Sequence, residues 1–108
     1  MTLDLPAPID LFVRLDNSGD TEALRECFAA DATVRDEGRT YQGLTAIRAW
    51  VADTKKKYNH TITPLEVAHR GTKTVVKVRL AGSFPGSPVI VEFSFVLAGG
   101  KIGSLEIV

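Results

Sequence analysis

The chain has 108 residues, 44% of them hydrophobic and 24% charged, which gives room for a single folded domain over 1–108 and too much apolar content for a disordered one. Thirteen Lys and Arg balance thirteen Asp and Glu, so no net field favours a nucleic acid or an anionic membrane as partner. One cysteine, Cys27, excludes an internal disulfide, and two histidines, His60 and His69, leave no Cys/His set for a metal, so no cofactor is expected.

No apolar run approaches the roughly 18–20 residues that cross a bilayer, and the N-terminal order MTLDLPAP is not the basic-then-apolar order of a secretory leader. A cytoplasmic location is the expectation. Leu5, Ile9, Phe12, Val13 and Asp16 recur at helical spacing and predict a helix ending near Asn17-Ser18-Gly19, with Pro6 and Pro8 tolerated at its start. Asp20 or Thr21 can cap a second helix that buries Ala23, Leu24, Cys27 and Phe28. Ala32 to Asp36 alternates as a short strand, and Glu37-Gly38-Arg39 breaks it with a turn. A third helix follows Gly43, with Thr45 as a candidate cap, and buries Ile47, Trp50, Val51 and Thr54. Lys55, Lys56 and Lys57 close it as a solvated cap on the helix dipole rather than a nucleic-acid patch.

From His60 onward the chain alternates in four runs: His60 to His69, Thr74 to Phe84, Val89 to Leu97, and Lys101 to Val108. Turn sequences separate them at Arg70-Gly71-Thr72-Lys73, Pro85-Gly86-Ser87-Pro88 and Ala98-Gly99-Gly100. In the second run Thr74, Val76, Val78 and Leu80 share one face and Lys73, Val75, Lys77 and Arg79 the other, which marks a core side and a wet side. In the third run Val89, Val91, Phe93, Phe95 and Leu97 make one apolar face, and the opposite face is apolar apart from Glu92 and Ser94. Helices can cover one face of such a sheet, so a second copy packed through the other, a homodimer, is the expected cover. Three N-terminal helices on a curved antiparallel sheet make an α+β cone whose wide end opens a cavity for a small apolar molecule.

The order of these elements, the block Phe28-Ala29-Ala30-Asp31-Ala32-Thr33-Val34-Arg35-Asp36, the block Gly43-Leu44-Thr45-Ala46-Ile47-Arg48 and, more weakly, Gly99-Gly100-Lys101-Ile102 resemble the NTF2-like superfamily. Within it, the resemblance is to the ketosteroid isomerase and SnoaL-like polyketide cyclase branches. It implies the cone-shaped fold and cofactor-independent acid–base catalysis on an apolar ketone or polyketide-like substrate. By position it implies that Asp36 is the general base, moving a proton at the carbon beside a carbonyl. It sets Phe12 where the isomerases carry a Tyr that donates to the oxyanion, and Glu92 where they carry a protonated Asp. Phe cannot donate, and the longer Glu moves its acid by about an ångström, a misplacement that can cost on the order of a hundredfold. Efficient steroid isomerisation is therefore not expected. Asp36 as base and Glu92 as acid would still serve an aldol-type ring closure or a double-bond shift in an activated ketone, the work of an isomerase or cyclase (lyase).

Each residue also has a plainer role. Asp36 can cap the Glu37-Gly38 turn, and Glu92 can pair with Lys77 or Arg79 of the neighbouring strand. Phe12, Phe28, Val34 and Trp50, the candidate cavity wall, can all be core. His60 begins a strand and His69 ends one, neither with a partner at triad or metal spacing. No GxSxG, phosphate loop or paired-cysteine motif is present. Two functions stand on these residues: a small enzyme using Asp36 and Glu92, and a non-catalytic ligand-binding or dimeric scaffold protein of the same fold.

Overall fold

Helical spacing and strand alternation assemble, in the computed structural model, as α1 (Ala7–Ser18), a 3-10 turn (Glu22–Glu26), β1 (Phe28–Asp36), β2 (Arg39–Gln42), α2 (Leu44–Tyr58), β3 (Thr61–Arg70), β4 (Lys73–Ala81), β5 (Val89–Ala98) and β6 (Lys101–Ile107). The structure describes residues 3–108, so the first two residues of the N-terminal stretch considered for a leader lie outside it. Among the described residues no helix is long and apolar enough to cross a membrane.

All six strands join one sheet in the order β2-β1-β6-β5-β4-β3. Strands β3 to β6 form an antiparallel meander, β1 adds parallel to β6, and β2 closes the far edge antiparallel to β1. Pro64 is tolerated because β3 is the other edge, and the ladder to β4 carries a bulge between Pro64 and Glu66. This is the expected α+β, NTF2-like class, with two α-helices instead of three among the described residues.

The missing helix has a physical cause. Asp20 does cap the segment, its Oδ1 accepting from the N–H groups of Glu22 and Ala23. Only a 3-10 turn follows, because the Cys27 carbonyl accepts from the Ile102 N–H (2.7 Å) and Phe28 pairs with Ile102, committing the chain to the sheet. A helix that short gains too few backbone bonds to compete with a strand ladder. β1 therefore starts at Phe28, four residues before the expected Ala32. The expected strand through Phe84 likewise stops at Ala81. There Ser83 donates to the Tyr58 carbonyl at 2.7 Å, and a Cβ on Gly82 would lie 2.8 Å from that same oxygen, so the close approach requires glycine.

Helix α1 buries Ile9, Phe12 and Leu15 and ends at Gly19 in the left-handed conformation, whose N–H caps Leu15. Its last turn is stitched to β3 by Asn17, which accepts from the Ile62 N–H (2.7 Å) and donates to the Ile62 carbonyl (2.9 Å). Both backbone groups of one strand residue are satisfied by one side chain. Phe12 sits at the centre of the core, with ring centroids 5.4 Å from Phe28, 6.0 Å from Phe95 and 6.4 Å from both Trp50 and Phe93. Among the described residues the opposite face of the sheet carries no helix. There Val75 is nonetheless buried, and Lys77 pairs with Glu66 at 3.3 Å.

Truncating so central a ring leaves a cavity as well as losing transfer energy, so Phe12→Ala should cost about 3–5 kcal/mol. Urea denaturation of the purified variant measures it directly.

Candidate functional site

Strand β1 ends in a two-residue turn in which Glu37 (φ 53) and Gly38 (φ 74) are both left-handed, the geometry that matches hairpin twist. The turn pairs Asp36 with Arg39 and leaves the Asp36 side chain at the end of the strand, beside α2. The indole Nε1–H of Trp50 donates to Asp36 Oδ2 at 3.0 Å. Trp50 is in turn stacked on Phe12 with 9° between the planes, so the core sets the direction from which the carboxylate is held. Burial pushes the Asp36 carboxyl above its ordinary range, and the charges of Glu37 and Asp16 add to that. The Trp50 bond and the Glu37 backbone N–H pull the other way without cancelling the shift.

Asp36 lines a cavity of about 430 Å³ between the helices and the inner face of the sheet, within the roughly 300–1,000 Å³ range of small-molecule sites. One wall is a single stripe of α2, where Trp50, Thr54 and Tyr58 recur one turn apart. Thr54 turns its hydroxyl back onto the Trp50 carbonyl (2.8 Å). The facing wall is apolar, contributed by Leu80, Val91, Phe93 and Ile107. Phe84 meets Tyr58 edge-on at 5.8 Å across one end.

A second polar group opens on the same cavity. Asp16, in the last turn of α1, and His60, just before β3, are 3% and 6% exposed and lie 2.8 Å apart, Oδ2 to Nε2. A carboxylate only accepts, so Nε2 is the nitrogen that carries hydrogen in this pair. His60 Nδ1 has no protein partner among the described residues. Nor is it a sealed orphan, a status held there by Arg48 Nε alone, and His60 itself lines the cavity. The Lys55 amine holds the His60 main-chain carbonyl, which fixes the residue from the backbone side.

The structure does not bring Asp36 and Glu92 together. On β5 the residues Val89, Val91 and Phe93 face the cavity, which puts Glu92 on the outer face, in register with Lys77. Its backbone exchanges two 3.0 Å bonds with Val108. Of the four expected wall residues, Trp50 lines the cavity, whereas Phe12, Phe28 and Val34 are fully buried core behind it. His60, expected to have no partner at triad or metal spacing in the sequence, meets Asp16 through the fold. Its signal was present on α1, where a carboxylate falls in phase with Ile9 and Phe12, a position that demands a buried partner. Burial pushes the Cys27 thiol up to about 12, so it is not a nucleophile. No three His, Cys, Asp or Glu side chains among the described residues converge as a metal site.

The sequence pattern of the SnoaL-like domain matches residues 9–103. No curated protein sequence matches the chain. A solved structure from Sinorhizobium meliloti, provisionally described as a polyketide cyclase, superposes with a TM-score of 0.93 at 42% identity, covering 97% of this chain and 96% of that one. A hypothetical protein with a ketosteroid isomerase-like fold from Catenulispora acidiphila DSM 44928 gives 0.82 at 24% identity, over 95% and 85% of the two chains. SalBIII, an epoxide hydrolase/cyclase-like enzyme of pyran ring formation in the polyether salinomycin, gives 0.72 at 22% identity, over 94% and 86%. These last two share the fold.

Because the Asp36 carboxyl is raised in the folded state, the native protein holds that proton longer than the unfolded chain, and stability falls as pH rises from the ordinary carboxylate range through the raised value. Asp36→Asn keeps an acceptor for Trp50 and removes the ionisation. Thermal melts against pH should show the variant melting above wild type on the alkaline side of that window, with the gap closing on the acid side.

Proposed function

The chain belongs to the SnoaL-like family, and from that premise we propose that it is a cofactor-independent acid–base enzyme acting on an apolar ketone or polyketide-like substrate, with Asp36 as the general base. The observation that carries this reading is the placement of one raised, half-buried carboxyl on the wall of a cavity whose facing wall is apolar, oriented by an indole N–H. A base works best when its pKa approaches the working pH, and desolvation moves Asp36 in that direction. The bond to Trp50 fixes the carboxylate before substrate arrives, so less of the barrier is spent on orientation. Leu80, Val91 and Phe93 would hold the hydrocarbon of the substrate against the sheet while its α-carbon faces Asp36. The proton taken there is returned to another carbon in an isomerisation, or the resulting carbanion attacks a second carbonyl in a ring closure. The polyketide-like substrate is favoured by the 42% identity to the Sinorhizobium meliloti relative. Glu92, on the outer face of the sheet, takes no part.

Exchange of α-protons for deuterium in a panel of cyclic ketones and poly-β-ketones, followed by NMR, tests the reading without knowledge of the natural substrate. Asp36→Asn should slow exchange by about 10²–10⁴-fold while ligand affinity changes little. Ketone binding with no exchange by wild type would favour a ligand-binding protein without turnover.

We also propose that two copies pair through the outer face of the sheet. Ile90, 56% exposed, shares that face with Val75 and Val96, an apolar surface that a second copy would cover. Sedimentation should give a dimer for wild type and a monomer for Ile90→Lys.

A further inference from the structure

We propose that His60, backed by Asp16, is a second proton-transfer group of this cavity, donating from Nδ1 to the substrate oxygen while Asp36 takes the proton from carbon. The proposal rests on the acid–base reading and supplies the donor that Glu92 cannot be.

The geometry is that of a prepared group. Asp16 and His60 come from segments that only the folded chain brings together, and both are almost wholly buried, yet both line the cavity. Burying a carboxylate is costly unless it is paired, and the pairing here engages Nε2. Nδ1 is left without a partner among the described residues, on a residue that lines the cavity. Three restraints then hold the imidazole. Asp16 fixes the ring, Lys55 fixes the His60 carbonyl, and Asn17, the neighbour of Asp16, fixes both backbone groups of Ile62 two residues further along. Donors locked in place before the reaction need no reorganisation when negative charge develops, which is where electrostatic catalysis gains most.

The proton inventory balances. Asp36 removes the α-proton, the C–H electron pair moves into a carbon–carbon double bond, and the carbonyl electrons move to oxygen. That oxygen takes the Nδ1 proton from doubly protonated His60 and becomes an enol, leaving a neutral imidazole whose Nε2–H still faces Asp16. Return of the enol proton to Nδ1 and of the Asp36 proton to carbon restores both groups. A carboxylate behind an imidazole holds its tautomer and stabilises the imidazolium, the role assigned to Asp16 as a positioning residue.

Two measurements test the assignment. In ¹⁵N-histidine-labelled wild type, saturation with the cyclic ketone 2-decalone should shift the His60 Nδ1 resonance and leave exposed His69 unmoved, and the shift should survive in Asp36→Asn. In the α-proton exchange assay, His60→Gln should lower kcat by about 10²-fold with KM little changed, and Asp16→Asn should lower it by less. Imidazole added to His60→Ala should restore part of the rate. If wild type catalyses no exchange, the acid–base reading fails on its own, and the ketone-induced Nδ1 shift still decides whether His60 contacts ligand oxygen. A bound ketone that leaves Nδ1 unmoved, or Asp36-dependent exchange that His60→Gln leaves at the wild-type rate, overturns the assignment.

Discussion

Phe12 is the packing constraint from which the site takes its geometry. Its ring lies flat against Trp50 and edge-on to Phe28 and Phe95, so a single side chain of α1 locks the helix to α2, to β1 and to the sheet interior. The Trp50 indole then points its N–H at Asp36 from a direction that the core has already chosen. One turn further along α1, the same helix face carries Asp16 to His60. Two polar groups on one cavity thus take their positions from the packing of one buried ring. Fully buried aromatic rings transmit position well because interiors are close-packed and yield little to strain.

The electrostatic character of the cavity follows from what surrounds these groups. No Lys or Arg among the described residues lines it, and its polar side chains are carboxyls, one imidazole, the Trp50 indole, one hydroxyl turned back on its helix and the Tyr58 phenol. Lys55 of α2 is committed to a main-chain carbonyl. An anionic ligand would find no Lys or Arg to neutralise it and would meet carboxylates across a medium of low dielectric. A neutral ligand with a hydrocarbon body and one polar end suits the walls better, and that is the form of substrate on which proton transfer beside a carbonyl operates.

Asp36 was legible because its signals are local. Alternation through Val34, then Glu-Gly at a turn that needs two left-handed residues, places the carboxyl at a strand end whatever the rest of the chain does. Glu92 was not, since β5 is apolar on both sides and parity alone cannot say which side meets the helices; the pairing of Phe93 and Phe95 with the Phe12 ring settles it. Phe12, Phe28 and Val34 read equally well as wall or core, because both environments select the same side chains. The Asp16–His60 pair spans α1 and the start of β3, a contact that no spacing rule reaches. The segment after Asp20 shows tertiary override, where a properly capped helix start loses to a strand ladder supplied by β6.

That ladder also orders events during folding. β1 has only the short β2 on one side, and its other neighbour is the last strand of the sheet, with Phe28 set against Ile102. Hairpins β3–β4 and β4–β5 can zip locally, whereas β1 must wait for a loop closure that spans most of the polypeptide. During synthesis β1 therefore leaves the ribosome well before β6, its permanent neighbour. Through that interval the Phe28 ring and the strand that presents Asp36 stay open to chaperones, or to the wrong edge of another molecule.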